Sequence, residues 1–409
     1  MIINSLVKKY NEGNLVLKIL TGIIIGTILA LLFPAHNFIS VLGEMFVGAL
    51  KGIAPILVFI LVISSLANAS RGQGKKFRII IFLYLISTFA AGLVAVCAGY
   101  LFPQNIVLDN SNNIIQDTPK QIGVIIHNLL VNTISNPIRS LADANYLGIL
   151  FWAIISGIAL KNFSSAETKA LLCDFSTCIS KVVTWIINLA PFGILGLVYT
   201  AVSTNGVEIF TVYGKLILLL AGCMFFTYFI ATPAIVFFMI NKNPYPLVFQ
   251  CMKESGITAF FTRSSAANIP VNMALCEKLG LDKDMYSVSI PLGATINMNG
   301  AAITITIMTL AGVNTLGIEI NIITALILAI LATFAACGSS GVAGGSLLLI
   351  PMACSLFGIS NDIAIQIVGV GFIIGVIQDS LETALNSSCD VVYTYTAEHY
   401  LKSRESAQN

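Results

Sequence analysis

Long apolar runs separated by short polar connections are the feature that most constrains this chain. Eight runs are long enough to cross a bilayer, because a spanning helix needs about 20 predominantly apolar residues. They lie at about 15–33, 41–69, 78–102, 121–160, 179–203, 209–240, 286–312 and 361–397. Two more, at about 246–279 and 320–357, are interrupted mid-way by serine and glycine. The pattern predicts an all-α, multi-pass membrane protein.

The composition supports this class and argues against several others. Of the 409 residues, 57% are hydrophobic and 10% are charged, whereas soluble chains carry about 25% charged residues. The net charge is +2, and no basic cluster is dense enough to suggest a nucleic-acid partner. The nine cysteines are scattered and the three histidines are isolated. The sequence therefore predicts neither a disulfide framework nor a metal or organic cofactor resident in the protein.

Lysine and arginine lie almost entirely on one side of the predicted membrane. The connections that contain none of them are those near 34–40, 103–119, 203–212 and 312–320. By the positive-inside rule, both termini are cytoplasmic. The sides alternate correctly only if each of the two interrupted segments enters and leaves on the same side. Both segments are therefore predicted to be re-entrant helical hairpins.

The last predicted span carries an unusual set of polar side chains. At about 100° per residue, Asp379, Asn386 and Asp390 fall within roughly 40° of one another, and Glu382 and Thr383 flank them. Carboxylates at membrane depth are costly, so they face a partner or a water-filled cavity and mark a functional site. The alternative is a structural polar seam between packed helices.

Three polar interruptions accompany this stripe, at 261–270, 297–300 and 337–346. Irregular backbone at membrane depth persists only where it is buried in protein or lines a cavity. A Ser-Ser pair marks each hairpin, and each hairpin precedes a polar span, but the two enter from opposite sides. This arrangement predicts an inverted repeat of the kind from which secondary transporters build their sites. The alternative is that the kinks only aid helix packing.

These parts suit a symporter of an amino acid and a cation. A zwitterion needs a carboxylate for its ammonium, and Asp379 is placed for that. It also needs donors for its own carboxylate, which Asn386 and the hairpin N–H groups near Ser265 and Val342 can supply. A small hard cation needs oxygen ligands, which Asp390 and carbonyls of the interrupted seventh span would provide.

Two other classes of protein fit the sequence less well. An intramembrane hydrolase would use Ser264 or Ser339 as nucleophile, but no histidine or lysine lies beside either serine. A channel would need rings of charges or carbonyls rather than a closed site for a zwitterion.

Five stretches of the sequence resemble the dicarboxylate/amino acid:cation symporter family, which includes the glutamate transporter homologues. They are Thr262-Arg263-Ser264-Ser265, Pro291-Leu292-Gly293-Ala294-Thr295-Ile296-Asn297-Met298, the 379–390 stripe, and Asn136-Pro137 together with Phe151-Trp152-Ala153-Ile154-Ile155. The resemblance covers essentially the whole chain. It implies a single membrane domain over residues 1–409, with eight transmembrane helices plus two re-entrant hairpins, assembled as a homotrimer in the cell (inner) membrane.

The resemblance also implies a division into two parts. A scaffold would comprise about 41–69 and 121–203. A mobile transport part, moving as an elevator, would comprise about 78–102 and 209–400 and would include both hairpins.

The family pattern implies roles residue by residue. Asp379 would hold the substrate ammonium, and Asn386 and the Ser265 backbone its carboxylate. The remaining residues of the expected substrate site are Val342, Thr383 and Glu382. One sodium site would be formed by Gly293, Asn297, Asn386 and Asp390. A second would be formed by Thr295 with the carbonyls of Ala336, Cys337 and Ser339, once the second hairpin closes.

Departures from the family pattern indicate the substrate. Glu382 stands where members that carry acidic substrates have arginine, and Ala301 where they have threonine. A side-chain carboxylate on the substrate would meet a like charge, which costs several kcal/mol. The stretches around 260–270 and 378–380 are most similar to members that carry serine and threonine. The expected activity is Na⁺-coupled import of L-serine and L-threonine, with alanine, cysteine or, less well, a dicarboxylate as alternatives.

Two sequence-based expectations remain. Glu382 is expected either to accept a hydrogen bond from the substrate hydroxyl or to play a packing or orienting role. Many relatives have aspartate where this chain has Asn299, and Ile86 matches the third-span threonine of a third cation site. That third site is therefore expected to be absent or degraded.

Overall fold

The computed structural model describes residues 15–34, 37–68, 74–108, 134–339 and 344–406. Over these ranges the regular structure is helical, with no strand. Six helices there are long and apolar enough to cross a membrane: Phe38–Asn68, Arg78–Leu101, Ala166–Asn188, Ile209–Ile240, Lys283–Thr315 and Asn361–Arg404. The architecture agrees with the predicted multi-pass membrane protein.

The helices follow one another in this order. The first seven are α1 (Leu15–Leu32), α2 (Asn37–Asn68), α3 (Gly74–Leu101), α4 (Pro137–Ala142), α5 (Tyr146–Phe163), α6 (Ala166–Asn188) and α7 (Ala190–Asn205). The next five are α8 (Ile209–Ile240), α9 (245–262), α10 (Ser265–Lys278), α11 (Lys283–Ile296) and α12 (Asn299–Thr315). The last three are α13 (Ile322–Ala336), α14 (Ile350–Ser355) and α15 (Asn361–Ser406).

Two predicted spans differ from the observed helices. The segment predicted at 121–160 is described from residue 134, and it contains two helices because Asn136 and Asn145 each cap a new helix with their side chains. The segment predicted at 179–203 is divided at Leu189. Pro191 is the reason, since proline lacks an N–H and is tolerated only in the first turn of a helix, where it lies in α7.

Close packing of small residues joins α1 to α7. A methyl group added to Gly22 would lie 2.4 Å from the Pro191 carbonyl oxygen, and one added to Gly26 would lie 2.6 Å from that of Leu195. Two glycines four residues apart therefore let the two helix backbones touch. The Gly-x-x-x-Gly spacing serves packing within the chain.

Both interrupted segments form pairs of helices. In the first pair, Arg263 ends α9 in the left-handed conformation, with φ of 51°, and Ser264 caps α10 by accepting from the Ala267 N–H at 3.2 Å. In the second pair, α13 ends at Ala336, and a 3₁₀ turn at Leu347–Leu349 leads into α14. We call residues 263–264 the first tip, and residues 337–339 and 344–346 the second tip.

The centre of the molecule is formed by α12 and α15. Every residue of α12 from Asn299 to Val313 is buried. The helix break predicted at 297–300 is observed, since α11 ends at Ile296 and α12 begins at Asn299. Both tips and this break meet the middle of α15, which places three irregular stretches of backbone against one helix.

Candidate functional site

The polar stripe of α15 faces the protein interior. Asp379, Glu382, Thr383, Asn386 and Asp390 are each between 1% and 6% exposed. One continuous helix carries all five, as the periodicity predicts. Because their positions share one face, their partners come from the elements packed against that face, namely the two tips and the break between α11 and α12.

A small cavity of about 20 Å³ lies where these elements meet. It is lined by Arg263, Ser265, Met298, Ser339, Ser346, Asp379, Glu382, Thr383 and Asn386. Six residues of the predicted substrate and ion sites therefore line one cavity. A volume of this size accommodates a single water molecule. An amino acid does not fit a cavity of this size.

Asp379 is held by both tips. Its Oδ2 accepts a hydrogen bond from Arg263 Nε at 2.8 Å, and its Oδ1 accepts from the Gly344 N–H at 3.2 Å. The Arg263 contact is an ion pair whose side chains are 11% and 5% exposed. The sequence reasoning gave Arg263 no role, although it lies inside the stretch on which the resemblance rests.

Glu382 joins α15 to α12 and to the second tip. Its Oε2 accepts from Thr304 Oγ1 at 2.8 Å, from Ser346 Oγ at 2.9 Å and from Gln378 Nε2. The Gln378 amide also donates to Thr304 at 2.7 Å. These three partners were not predicted. Their only sequence signal is the spacing of four residues between Gln378 and Glu382, which places them on one helix face.

Asn386 links α15 to the start of α12. Its Oδ1 accepts from the Gly300 N–H at 2.7 Å, and its carbonyl accepts from Asn297 Nδ2 at 3.3 Å. Its amide nitrogen faces Met298 Sδ at 3.5 Å, which is a weak acceptor. That donor is therefore poorly satisfied.

Asp390 lies against the helix break, one turn beyond Asn386. Its Oδ1 accepts from Asn297 Nδ2 at 2.8 Å, whereas its buried Oδ2 has no hydrogen-bond partner. Gly293 leaves space for this carboxylate, since a methyl group there would lie 2.6 Å from Oδ1. A buried carboxylate oxygen without a donor needs a compensating positive group. The first predicted sodium site is thus brought together around an oxygen suited to a cation.

The second predicted sodium set lies at the junction of α11 with the second tip. Thr295 Oγ1 donates to the Leu292 carbonyl at 2.7 Å, and Ser339 Oγ donates to the Ala336 carbonyl at 2.8 Å. The Cys337 thiol contacts the Ile296 carbonyl at 3.5 Å. The set is therefore close together in space. Val342, also expected at the substrate site, lies outside the described residues.

The expectation for Ile86 is wrong. Ile86 is 37% exposed, whereas the next two residues, Ser87 and Thr88, are buried and donate to Asn299 Oδ1 at 3.1 and 3.0 Å. Asn297 Oδ1, at 3.3 Å, is an alternative acceptor for the single Ser87 hydroxyl hydrogen. The hydroxyl groups of the third span are therefore present beside Asn299. The cluster of Ser87, Thr88 and Asn299 differs from a site with aspartate in the Asn299 amide, whose buried nitrogen has no hydrogen-bond partner.

The arrangement has the properties of a secondary transporter site, with helix breaks, buried carboxylates and two facing tips. Comparison of sequences agrees: the chain belongs to the sodium:dicarboxylate symporter family, whose model matches residues 15–400.

Several curated relatives carry the name serine/threonine transporter SstT. The chain is 56% identical over 391 residues to that of Bifidobacterium adolescentis, covering 96% of this chain and 91% of the relative. It is 56% identical over 391 residues to that of Streptococcus agalactiae and 54% identical over 392 residues to that of Streptococcus thermophilus, covering 96% of this chain and 97% of each relative. Membership of a symporter family and relatives named as transporters point to transport rather than enzymatic catalysis.

Proposed function

We propose that this protein is a Na⁺-coupled symporter that carries L-serine and L-threonine into the cell across the cell (inner) membrane. The observation that carries the proposal is the cavity in which Asp379, Asn386 and Glu382 converge. These three side chains match the three polar groups of the substrates. Asp379 is an anion for the ammonium, the Asn386 amide is a donor for the carboxylate, and Glu382 is an acceptor for the hydroxyl. The names of the relatives support the same substrates.

In this proposal, the substrate binds between the tips and α15. Asp379 holds the ammonium, and the Asn386 amide with the Ser265 N–H holds the α-carboxylate. Thr383 lies on the same face, and Val342 would contribute from the second tip. Each contact replaces part of the hydration that a zwitterion loses when it enters a dry site.

In this proposal, Glu382 accepts a hydrogen bond from the substrate hydroxyl. Its Oε2 takes the three hydrogen bonds from protein donors, and none of them goes to Oε1. A carboxylate at this position also disfavours glutamate and aspartate, because it repels a second substrate carboxylate. Alanine and cysteine lack the hydroxyl and are the alternative substrates to be tested against serine.

Two sodium ions would be carried at the two residue sets described above. Asp390, Asn297, Gly293 and the Asn386 carbonyl would form the first site, supported by the buried, unpartnered Asp390 Oδ2. Thr295 with the carbonyls of Ala336, Cys337 and Ser339 would form the second. Oxygen ligands of this kind suit small hard cations. Binding at the second set would favour closure of the second tip, which would couple ion binding to substrate occlusion.

The finer architecture is also a proposal. The two helix pairs would be re-entrant hairpins in an inverted repeat, with eight transmembrane helices and both termini cytoplasmic. A scaffold of about 41–69 and 121–203 would hold a homotrimer, and a transport part of about 78–102 and 209–400 would move as an elevator. In support, α2 packs on α5, α6 and α7, whereas α3 packs on α12, α13 and α15.

Uptake of radiolabelled serine into proteoliposomes tests the function. Sodium is placed outside, inside or on both sides, or is replaced by lithium, potassium or a proton gradient. We expect accumulation above equilibrium only with an inward sodium gradient, with threonine competing and glutamate not competing. The variant Asp379→Asn should abolish uptake.

The outcomes separate the alternatives. Accumulation without sodium would contradict coupling to this ion. Equilibration without accumulation would indicate a channel, because a channel cannot move serine against its gradient. Competition by alanine or cysteine as strong as that by threonine would indicate a broader site for small neutral amino acids.

A further inference from the structure

The Arg263–Asp379 ion pair differs from three exposed ion pairs in the described part of the chain. These join Arg139 to Asp143, Lys278 to Glu254 and Lys402 to Glu398, and in each the cationic side chain is at least 60% exposed. In the Arg263–Asp379 pair, the side chains are 11% and 5% exposed. Exposed pairs contribute little because water screens them, whereas a buried pair leaves an uncompensated charge when it is broken.

The position of this pair conflicts with simple binding of an ammonium. Asp379 is the carboxylate to which the proposed function assigns the substrate ammonium, and a cation of the protein already occupies its Oδ2. The Gly344 N–H occupies Oδ1. Both charged residues line the same small cavity. An incoming ammonium therefore meets a carboxylate that already carries a cation. If the ammonium takes the place of the guanidinium, the guanidinium needs another anion.

We propose that Arg263 is the internal counter-ion of Asp379 and that a zwitterionic substrate inserts between Arg263 and Asp379. The ammonium replaces the guanidinium at Asp379, and the guanidinium turns to the substrate α-carboxylate. This inference rests on the proposed function. It adds Arg263 as a residue that favours substrates carrying both an ammonium and a carboxylate. No bond is made or broken; two ion pairs replace one.

The geometry at the first tip supports this exchange. Arg263 lies at the left-handed turn between α9 and α10, directly before Ser264 and Ser265. The Ser265 N–H and the Asn386 amide, the other expected partners of the substrate carboxylate, line or border the same cavity. The guanidinium presents several N–H donors, so it can release one acceptor and engage another.

The exchange affects which ligands bind, because both buried charges, those of Arg263 and Asp379, need a partner. A zwitterion satisfies both buried charges at once. An amine without a carboxylate displaces the guanidinium and leaves it buried without an anion, and an acid without an amine meets the carboxylate of Asp379. The pair therefore selects molecules that carry both charges, independently of the side chain that Glu382 recognises.

Binding measurements on the purified full-length protein test this inference. Radiolabelled serine is bound in sodium and displaced by unlabelled serine or by ethanolamine, which keeps the amine and the hydroxyl but lacks the carboxylate. In Arg263→Gln, serine loses a partner while ethanolamine no longer has to displace a cation. We expect the ratio of serine affinity to ethanolamine affinity to fall by at least about tenfold.

Two more variants complete the test. Arg139→Gln removes the same side chain from an exposed ion pair and should leave the ratio unchanged. Arg263→Lys keeps the charge but not the planar fork, so the ratio should fall by a smaller amount; this variant also provides a measurement if Arg263→Gln does not fold. Equal weakening of both ligands, or an unchanged ratio in both Arg263 variants, would overturn the inference. Failure of the wild-type protein to bind serine would instead overturn the proposed function.

Discussion

The variant Asp390→Asn tests the proposed sodium site most directly. The substitution keeps the shape of the side chain, and its amide oxygen can still accept from Asn297 Nδ2, which lies 2.8 Å from Asp390 Oδ1. The new amide nitrogen then stands where Oδ2 stands, buried and without a hydrogen-bond partner. The variant therefore preserves the helix contact while replacing a negative oxygen with a positively polarised N–H at the cation position.

The magnitude follows from losing one partner of a buried charge pair. That loss costs about 2 to 5 kcal/mol, which corresponds to roughly 30-fold to 4,000-fold in binding affinity. Because the amide nitrogen also repels the ion, we expect a loss above the lower end of this range, with sodium affinity at least about 100-fold weaker. Without sodium, the variant should be at least as stable as the wild type, because a buried charge without a counter-ion is costly.

The assay is sodium-dependent thermal unfolding of the purified protein, followed by sodium titration of serine uptake in proteoliposomes. Sodium should stabilise the wild type in proportion to its occupancy and should stabilise Asp390→Asn much less. The control is Asp174→Asn, which removes an exposed carboxylate on α6 and should titrate like the wild type. Half-saturation of Asp390→Asn within about threefold of the wild type would refute the assignment.

Three further variants test neighbouring assignments. Glu382→Gln removes the charge and keeps the shape, and we expect the preference for serine over alanine in competition uptake to fall about tenfold. Asn299→Asp adds a carboxylate beside two hydroxyls, and we expect about one more sodium ion per serine in charge-to-flux measurements. Gly293→Ala places a methyl carbon 2.6 Å from an Asp390 oxygen, and we expect half-saturating sodium to rise at least about tenfold.

Two variants elsewhere in the chain serve as controls for these three variants. Gly214→Ala adds a methyl group where no atom lies within 4 Å and should leave the sodium requirement unchanged. Glu208→Gln changes an exposed glutamate and should leave the serine preference unchanged. If Glu382→Gln behaves like Glu208→Gln, Glu382 has a packing role. An unchanged charge-to-flux ratio in Asn299→Asp would show that the amide is not what limits the third cluster.

Local sequence patterns predicted most of the helices and the polar face of α15. The stripe from Asp379 to Asp390 was predicted as one buried face because helical periodicity is a local property. The break after Ile296 was predicted because polar residues interrupt an apolar run. The division at Leu189 was missed, although Pro191 carries the signal, because the surrounding residues remain apolar enough to be taken as one continuous span.

The candidate site was predicted as a set of residues but not as a set of contacts. Asp379, Asn386 and Asp390 were assigned from their chemistry and from the family pattern. Their partners were missed where they come from distant parts of the chain. Arg263, 116 residues from Asp379, is the clearest example, since its position in the family stretch gave no indication of which carboxylate it meets.

The sequence by itself determined the class of structure, the family and the helix face that carries the site, because hydrophobicity, periodicity and motifs are readable along the chain. Only the tertiary structure decided how the buried charges are paired. It gave Asp379 a guanidinium, surrounded Glu382 with neutral donors and left one oxygen of Asp390 without a partner. The physical reason is that a charge inside a protein is stabilised by whatever the packing brings within about 3 Å of it, and packing joins residues that are far apart in sequence.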